Sequence, residues 1–489
     1  MKALGVLGTA SNVGKTWLAT ALCAWLRREG VRVAPFKAQN MSNNAWALPD
    51  GREIARAQAV QAEACGILPD VAMNPILLKP TTAERSQLIL HGRAVGSQEG
   101  RDYYRDFDRL WGEVRDTLDG WRERCDVLVM EGAGSPVELN LMGRDLVNLR
   151  PLRHLDGKWL LVGDIERGGV YAQLAGTWAL LPQEDRGRGL GAVVNRFRGD
   201  LGLFPDPTGW LAPHAPGFSV LGTVPLRPDL QPEEEDGLAF NDEDRGDPKG
   251  AIIAWIRLPH AANLTDCQPW WSDGGVRTRW TAAAGQIESA RAIVIPGSKN
   301  TIADRRWLRA MGLDTVIIAA ARRGVPVVGL CGGYQLLGEQ LTDPSGVAGD
   351  AGTEPGLGLL PVRTHFVAEK VVRPVISECD GRRWTTYEIH MGRTKTIGAF
   401  ESLHRVWDGS ESQASREEGV RVGNVWGTYQ HGWFEAPESR RRLTAAAGIT
   451  AHRAPEETWS ERRVAVYDAM AAHVAAHVDL DPLRRYLEI

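Results

Sequence analysis

Cysteine is scarce in this chain and follows no metal-binding pattern. The 489 residues include six scattered cysteines, and no two of them form a Cys-x-x-Cys pair, which argues against a disulfide framework or a structural zinc site. No apolar run approaches the roughly 20 residues of a membrane span, and no charged leader precedes the opening "KALGVLG". The net charge of −4 argues against a nucleic-acid-binding surface. We therefore expect a cytoplasmic protein with neither a nucleic-acid nor a membrane partner.

Short apolar runs alternate with longer amphipathic stretches through the first half of the chain. Such alternation is typical of a parallel sheet with crossover helices, because both faces of its strands are buried. The predicted strands are "KALGVLG", "VRVAPFK", "DVLVMEGAG", "KWLLVGDI", "LGAVVNRF" and "FSVLGTVP". The sequence therefore predicts an N-terminal α/β domain with a mostly parallel sheet over residues 1–226.

An acidic stretch interrupts this pattern. Residues 227–250 are rich in proline and glycine and almost free of aliphatic side chains, a composition typical of an exposed linker. A second α/β series follows, with predicted strands in "AIIAWIRL", "ARAIVIPGSKNT", "VPVVGLCGG" and "GNVWGTYQHGWFE". After Trp459 the apolar spacing predicts an amphipathic terminal helix that packs on this second domain. Residues 251–489 are thus predicted to form a C-terminal α/β domain that includes the helix.

The stretch "GTASNVGKT", Gly8 to Thr16, lies between a predicted strand and a predicted helix. A phosphate-binding loop requires this setting, because backbone N–H groups and the helix N-terminus then face the anion. Lys15 is expected to neutralise phosphate charge, Thr16 to ligate Mg²⁺, and Thr9 and Gly14 to belong to the ATP site. Five residues separate Gly8 from Gly14 instead of the usual four, a loop length that resembles the dethiobiotin-synthetase-like branch of P-loop proteins.

Other polar residues lie where further predicted strands end. Lys37 in "PFKAQNMSNN" and Glu131 in "VMEGAG" should converge with Lys15, because ligands bind at the carboxyl ends of the strands in open parallel sheets. We expect Lys37 to meet the substrate carboxylate or a phosphate, and Glu131 to hold the metal. Glu53 is a candidate second metal ligand. Asn195 in "VVNRF" is a candidate for reading the nucleotide base, since an amide both donates and accepts hydrogen bonds.

The stretch "VVGLCGGYQLL" places one thiol at a tight bend between a predicted strand and a helix that begins near Tyr334. A thiol becomes a nucleophile only as the thiolate, which a helix N-terminus or a basic partner favours. Gly329 and Gly332 permit the strained backbone of such an elbow. Cys331 is therefore the candidate nucleophile.

The base and the oxyanion donors must come from other segments. His431 in "WGTYQHGWFE" follows an apolar run and is the candidate base, and His390 in "YEIHMGRT" is its rival, although we expect His390 to shape a domain contact. A tetrahedral intermediate formed by a thiolate needs N–H donors. Gly297 in "VIPGSKNT" and Gly332 are the candidates, since each lies beside the end of a predicted strand.

These motifs together resemble known families. The pattern Gly-x-Cys-x-Gly-x-Gln, "PGSKNT" and the segment around His431 resemble a class I (triad-type) glutamine amidotransferase domain. "QNMSNN", the block "EIARAQAVQAEACG…MNPILLKP" and "YEIHMG" resemble the cobyric acid synthases, glutamine-hydrolysing enzymes of cobalamin biosynthesis. The resemblance runs from Ala3 to the terminal helix. It implies that Cys331 is the nucleophile, that His431 is its base, and that Gln335 helps to bind glutamine.

The chain departs from the amidotransferase pattern at one position. Triad amidotransferases usually carry a glutamate two residues after the histidine, where this chain has Trp433. Glu435, four residues after His431, is then the candidate that orients the base. The other possibility is a Cys–His dyad.

One nitrogen transfer explains why a thiol site and a phosphate loop share a chain. A carboxylate is a poor electrophile, but transfer of the γ-phosphoryl group of ATP gives an acyl phosphate that ammonia can displace. Ammonia released at Cys331 and passed on internally avoids protonation in bulk water. The resemblance implies amidation of the b, d, e and g carboxylates of adenosylcobyrinic acid a,c-diamide to give adenosylcobyric acid. The requirements would be ATP, Mg²⁺ and glutamine, with cobalt only in the corrinoid substrate.

Two other functions fit parts of the sequence. A related amidoligase such as cobyrinic acid a,c-diamide synthase has the same build, although "QNMSNN" speaks against it. A P-loop switch ATPase with a degenerate glutaminase-like binding module belongs to a different class. Such ATPases usually carry an extra lysine early in the loop, where this chain has Thr9 and Ala10. The sequence sets no oligomeric state.

Overall fold

The chain divides into two compact units. A computed structural model describes residues 1–80, 85–99, 103, 105–230, 232, 244–408 and 414–489, and the statements below refer to these residues. The first unit consists of Met1–Ser42, Ile54–Glu235 and Arg463–Ile489, and the second of Asn43–Glu53 and Asp236–Arg462. Half of the predicted linker 227–250, residues 231 and 233–243, lies outside the described residues.

The first unit is built on a parallel six-stranded sheet. The six strands predicted from the first half of the chain form it, in the order Val220–Pro225, Gly189–Phe197, Lys158–Asp164, Lys2–Gly8, Val127–Glu131 and Val33–Phe36. The strand Lys2–Gly8 lies inside the sheet and is buried along nearly its whole length, as an apolar strand with two covered faces should be. The prediction of a mostly parallel N-terminal sheet is confirmed.

Helices lie between these strands along the chain, and one more lies at the C-terminal end. They are Lys15–Arg28, Arg56–Cys65, Phe107–Gly120, Leu149–His154, Val170–Leu180, Gln183–Arg186, Pro207–Leu211 and Asp481–Leu487, with 3₁₀ turns at Val71–Met73, Met142–Arg144 and Leu201–Leu203. A four-stranded sheet also belongs to this unit and consists of Gln39–Met41, Ile76–Pro80, Arg85–Leu90 and Arg93–Glu99. Within the described part of the chain, no helix has both the length and the apolar character needed to cross a membrane.

The terminal helix Trp459–His477 forms as predicted, but the prediction of its packing partner is wrong. Its buried face belongs to the same hydrophobic cluster as the helix Lys15–Arg28, through Tyr467, Met470, Ala471 and Val474. Arg463 forms an ion pair with Glu63 (2.9 Å), and the Tyr467 hydroxyl donates a hydrogen bond to the same carboxylate (2.9 Å). The helix therefore packs on the first unit, because the apolar spacing that predicted a buried face carries no information about the surface that covers it.

The second unit is built on a seven-stranded sheet. Its strands, in order, are Arg245–Gly246, Val276–Thr281, Ala251–Ile256, Ala292–Ile295, Val327–Leu330, Val425–Thr428 and Val420–Val422. The inner strands run parallel and the two outer ones pair antiparallel, so the strands predicted for this half are confirmed. Its helices are Ala284–Glu288, Thr301–Ala310, Leu313–Arg322, Gly332–Leu337 and Pro437–Ala446, with 3₁₀ segments at Leu264–Ser272 and Trp433–Glu435.

A long β-hairpin is the main element absent from the sequence predictions. Val362–Cys379 and Arg382–Thr396 pair antiparallel across the turn Asp380–Gly381, whose φ values are 49° and 83°. An Asp-Gly dipeptide between apolar strands favours such a turn and was the available signal. The hairpin belongs to a six-stranded sheet with Gly352–Pro355, Gln340–Asp343, His404–Asp408 and Arg416–Glu418. Two small ribbons pair Ala261–Ala262 with Gly297–Ser298 and Ala45–Ala47 with Glu53–Ala55.

Candidate functional sites

The loop between Gly8 and Lys15 has the geometry of a phosphate-binding loop. It connects the strand Lys2–Gly8 to the helix Lys15–Arg28. Gly14 adopts a φ of 99°, and a Cβ at this position would lie 2.0 Å from Nδ2 of Asn195, so only glycine fits. The Lys15 ammonium donates hydrogen bonds to the carbonyl oxygens of Ala10 (2.9 Å) and Gly134 (3.0 Å). The lysine is thus folded over the loop, where a phosphate would meet its charge.

Asn195 and Thr9 also contact this region. The Asn195 amide donates to the carbonyl oxygen of Val13 (3.0 Å), so it braces the loop at the end of its strand. The Thr9 hydroxyl donates to Oε1 of Gln173 (2.9 Å), a partner on the helix Val170–Leu180 that no sequence motif indicated. Asn195 therefore lies against the predicted ATP loop, and its reading of the base stays a prediction.

Glu131 is the centre of a buried polar cluster at the carboxyl end of its strand. Its Oε1 accepts hydrogen bonds from the Thr16 hydroxyl and the Lys37 ammonium, each at 2.9 Å, and its Oε2 accepts one from Gln61 (2.6 Å). Burial alone raises the pKa of Glu131, but Lys37 and these hydrogen bonds outweigh it and hold the pKa below its ordinary value. Of the three residues predicted to converge, Lys37 contacts Glu131 directly, and Lys15 reaches the carbonyl oxygen of Gly134, three residues after Glu131.

Cys331 lies at the tip of a strained elbow in the second unit. It joins the strand Val327–Leu330 to the helix Gly332–Leu337 with a φ of 50° and a ψ of −106°, a conformation that costs energy for a residue with a Cβ. Its backbone N–H donates to the carbonyl oxygen of Thr428 (2.8 Å), and its thiol donates to that of Ile389 (3.4 Å). The elbow holds the sulfur in a fixed direction at the N-terminus of a short helix, as a nucleophile requires.

His431 is fully buried and is held by Asp266. Its Nδ1 lies 2.7 Å from Oδ2 of Asp266, and Oδ1 of the same carboxylate accepts the backbone N–H of Gly432 at 2.7 Å. The rings of His431 and Tyr387 stack with centroids 5.3 Å apart and planes inclined by 27°. Nε2, the nitrogen left for chemistry, has no hydrogen-bond partner among the described residues. This is the arrangement of a base whose tautomer and orientation are fixed by a carboxylate.

The electrostatics of His431 favour a protonated ring. Burial alone lowers the pKa of His431, but the Asp266 carboxylate and then the charge of Cys331 outweigh it and raise the pKa to about 10. An imidazolium beside a thiol stabilises the thiolate, which is the attacking form. Asp266, Cys331 and His431 can thus support nucleophilic attack and proton transfer to a leaving group.

Gly297 and Gly332 lie close to this group. A Cβ at Gly297 would lie 3.0 Å from Cε1 of His431, and a Cβ at Gly332 would lie 2.5 Å from the backbone nitrogen of Ser298. The backbone of Gly297–Ser298 therefore runs past both the base and the elbow. The structure brings the two predicted oxyanion donors into the region of Cys331, and their role in catalysis stays a prediction.

Comparison with known proteins assigns both units. Residues 4–239 match the CobQ/CobB/MinD/ParA nucleotide binding domain, and residues 252–439 match the CobB/CobQ-like glutamine amidotransferase domain. The cobyric acid synthase of Roseiflexus castenholzii is 45% identical over 99% of this chain and 98% of its own length. Those of Chloroflexus aggregans and Variovorax paradoxus are 47% and 44% identical, over 89% and 91% of this chain and 89% and 93% of their own lengths. The chain belongs to the cobyric acid synthase family.

The two matched ranges contain the two sites of this cobyric acid synthase family member. The nucleotide-binding range includes Lys15 and Glu131, and the amidotransferase range includes Asp266, Cys331 and His431. The predicted combination of a P-loop domain and a glutamine amidotransferase domain is confirmed, as is membership of the family suggested by "QNMSNN" and "YEIHMG".

The carboxylate in contact with Nδ1 of His431 is not that of the predicted Glu435, and the choice between a triad and a Cys–His dyad stays a prediction. Asp266 occupies Nδ1 of His431. Glu435 lies in the turn that follows the histidine, where its N–H donates to the carbonyl oxygen of Gly432 (3.0 Å). Trp433, at the position of the usual glutamate, is fully buried in the hydrophobic core. A carboxylate could not replace that side chain without being buried there, so the acid comes from another segment.

Three further predicted residues have partners of their own. The Gln335 amide accepts a hydrogen bond from the Thr301 hydroxyl (3.0 Å) and donates to the Tyr429 hydroxyl (3.3 Å), so its binding of glutamine stays a prediction. Glu53 belongs to the second unit, where it forms a buried ion pair with Lys370, and its metal role also stays a prediction. His390 stacks on Tyr429 with ring centroids 3.7 Å apart.

Asp266, Gln61 and Tyr387 are contact residues that the sequence analysis did not single out. Asp266 lies in "NLTDCQPWW", a segment without a recognisable spacing to His431. Tyr387 and Gln61 do lie inside quoted family blocks, "YEIHMG" and "EIARAQAVQAEACG". Those blocks indicated that the two segments resemble the family, but they did not indicate which contact each side chain makes.

Proposed function

We propose that this protein amidates the b, d, e and g carboxylates of adenosylcobyrinic acid a,c-diamide, using ATP and the amide nitrogen of glutamine. The full-length similarity to cobyric acid synthases supports the corrinoid substrate. The two sites described above support the two half-reactions. The observation that carries the proposal is the buried group of Cys331, His431 and Asp266 in the same chain as the Glu131 cluster.

In the first half-reaction, the thiolate of Cys331 attacks the side-chain carbonyl carbon of glutamine. The oxyanion that forms is stabilised by backbone N–H donors, for which Gly297 and Gly332 are the candidates. His431 gives its proton to the departing nitrogen, and ammonia leaves. Water then hydrolyses the thioester to glutamate with His431 as the base, which restores the thiolate and the imidazolium. Asp266 keeps the ring oriented throughout and favours its protonated form before and after the cycle.

In the second half-reaction, a corrinoid carboxylate oxygen attacks the γ-phosphorus of ATP, and ADP leaves. Lys15 lies over the phosphate loop and balances the charge that develops on the phosphoryl group. Ammonia then attacks the acyl phosphate, and phosphate departs as the amide forms. Lys37 is the candidate that holds the acceptor, because it follows the strand Val33–Phe36 at the edge of the parallel sheet where ligands bind.

The Thr16 hydroxyl and the Glu131 carboxylate fit a magnesium ion. Among the described residues no group of three or more His, Cys, Asp or Glu side chains forms a metal cage. Mg²⁺ suits this case, since it usually takes one or two protein oxygens and completes its shell with phosphate and water. When bound, it would neutralise charge on the nucleotide phosphates. Thr16 and Glu131, already joined by a 2.9 Å hydrogen bond, would hold it.

The test is a full reaction with nitrogen-labelled glutamine. Purified protein is incubated with ATP, Mg²⁺, labelled glutamine and adenosylcobyrinic acid a,c-diamide, and the corrinoid is analysed by mass spectrometry. Labelled nitrogen should enter the b, d, e and g positions with equal amounts of ADP and glutamate formed per amide. In a parallel reaction with cobyrinic acid as the acceptor, amidation of its a and c positions, with no amidation of the a,c-diamide, would assign a diamide synthase. ATP hydrolysis without any amidation would point to a switch ATPase and would overturn the proposal.

A further inference from the structure

The segment Asn43–Glu53 belongs to the second unit, although the chain before and after it belongs to the first. It is inserted into that unit, since Asn44, Ala45, Ala47 and Leu48 are all buried. The motif "QNMSNN" ends inside it at Asn44. The proposed reaction assigns no function to this segment, and its contacts with the second unit indicate one.

Paired asparagine contacts fix the segment to the element that carries Asp266. The N–H of Ala45 donates to Oδ1 of Asn263 (3.2 Å), and the N–H of Leu264 donates to Oδ1 of Asn44 (3.2 Å). Asp266 follows two residues after Leu264 in the 3₁₀ segment. The inserted segment therefore braces the start of the turn that presents the carboxylate to His431.

Trp46 contacts Tyr387, another side chain, besides Asp266, that lies against His431. Its ring lies against that of Tyr387, with centroids 4.8 Å apart and planes inclined by 52°. Tyr387 in turn stacks on the His431 ring and exchanges two backbone hydrogen bonds with it, N–H to O at 3.2 Å and 2.9 Å. Tyr387 thus contacts both Trp46 and His431, and the fully buried His431 ring is the last of the three.

We propose that Trp46 is a positioning residue of the glutaminase site, acting on the plane of the His431 ring through Tyr387. Aromatic contacts of this kind stabilise beyond the area that they bury, and proton transfer tolerates only small errors in ring orientation. The inference rests on the proposed function, because it concerns the rate of glutamine hydrolysis at Cys331. It assigns the end of "QNMSNN", from Asn43, and the residues after it to the amidotransferase site.

The test compares the variants Trp46→Leu and Trp46→Phe of the full chain. Leucine keeps an apolar side chain in place but removes the ring, so kcat for glutamate release should fall roughly three- to tenfold with KM for glutamine unchanged. Phenylalanine keeps a ring and should restore most of the rate. Amidation with ammonium as the nitrogen source, which needs no His431, should match the wild type in both. Trp307→Leu is the control, since Trp307 is a partly buried tryptophan of the same unit, on the helix Thr301–Ala310, and is not part of the Trp46–Tyr387–His431 ring contacts.

The outcomes separate this inference from the function beneath it. Glutamate release by the wild type tests the proposed function, and the ratio of Trp46→Leu to wild type tests the positioning role. An unchanged kcat in Trp46→Leu would overturn the inference. So would a fall matched by Trp307→Leu or by the ammonium reaction, because general loss of folded protein would then explain it. Melting temperatures of all three variants measure that loss directly.

Discussion

Replacing Asp266 by asparagine tests the electrostatic account of the glutaminase site. The side chain keeps its size but loses the charge that faces Nδ1 of His431 at 2.7 Å. The pKa of His431 is raised from an ordinary 6.5 to about 10. This difference corresponds to roughly 5 kcal/mol in favour of the protonated ring. Asp266 contributes most of what raises it. Without that charge only Cys331 opposes the effect of burial, so the pKa of His431 should fall and the ring should lose its proton at a lower pH.

The expected result is a large loss of glutamine hydrolysis with an altered pH profile. A neutral ring cannot stabilise the Cys331 thiolate or give a proton to the leaving nitrogen, and an asparagine can also select the wrong tautomer. We expect kcat for glutamate release to fall about 10²- to 10⁴-fold. In the wild type the alkaline limb of kcat/KM should lie near the raised pKa of His431, and in Asp266→Asn it should move toward neutral pH.

Two controls separate the charge from the fold. Asp273→Asn removes another buried carboxylate of the same unit, which pairs with Arg440 (2.7 Å) and His452 (2.8 Å). It should lower the melting temperature but leave the alkaline limb in place. Ammonium-dependent amidation should survive in Asp266→Asn. If Asp266→Asn keeps wild-type kcat and an alkaline limb near pH 10, Asp266 does not set the charge of His431 and the reasoning is refuted.

The stability of the second unit should depend on pH through the protonation of His431. The folded-state pKa of His431 is raised above its unfolded value of 6.5. Its protonation therefore stabilises the fold fully below about pH 6.5, and this contribution is lost as the pH rises toward about 10. The difference in melting temperature between wild type and Asp266→Asn should shrink across that range.

Three further changes test the two sites separately. Cys331→Ala should abolish glutamine-dependent amidation and retain the ammonium-dependent reaction, measured as corrinoid amide; loss of both would argue against separable sites. Lys15→Ala should remove amidation with either nitrogen source but keep glutamate release measured without ATP, and retained ligase activity would contradict the phosphate role. Lys37→Met leaves the buried Glu131 carboxylate without its cation and should lower the free energy of unfolding by about 3–5 kcal/mol. A denaturation midpoint no lower than that of Lys2→Met, which breaks an exposed ion pair with Glu488, would contradict it.

Local information was enough to predict the parallel sheet of the first unit, four strands of the seven-stranded sheet and the two loops that carry reactive groups. The strand Lys2–Gly8 is an unbroken apolar run, and the loop after it needs glycine at position 14 because φ is 99° there. The Cys331 elbow is likewise encoded by the glycines around it. In each case the residues that determine the conformation are neighbours in sequence, so a short sequence pattern is enough to predict it.

The surface that covers an amphipathic helix, in contrast, is not determined by residues near the helix in sequence. The face of Trp459–His477 was predicted to be buried, and it is. Its contacts with Glu63, through Arg463 and Tyr467, join residues 400 and 404 positions apart. Periodicity states that one side of a helix avoids water, but two apolar surfaces of similar shape cover it equally well. The assignment to the second domain failed for that reason.

The orienting carboxylate shows the same limit at the candidate site. Asp266 lies 165 positions before His431, and the place where a sequence pattern expects an acid is filled by the buried ring of Trp433. The nucleophile could be predicted because its strain is local, whereas the charge of the base depends on a contact that only the folded chain creates. The ring plane depends on a third segment through Tyr387. If charge and orientation of His431 are set this way, substitutions at Asp266 and Trp46 should reduce glutamine hydrolysis although neither belongs to the cysteine or histidine motif.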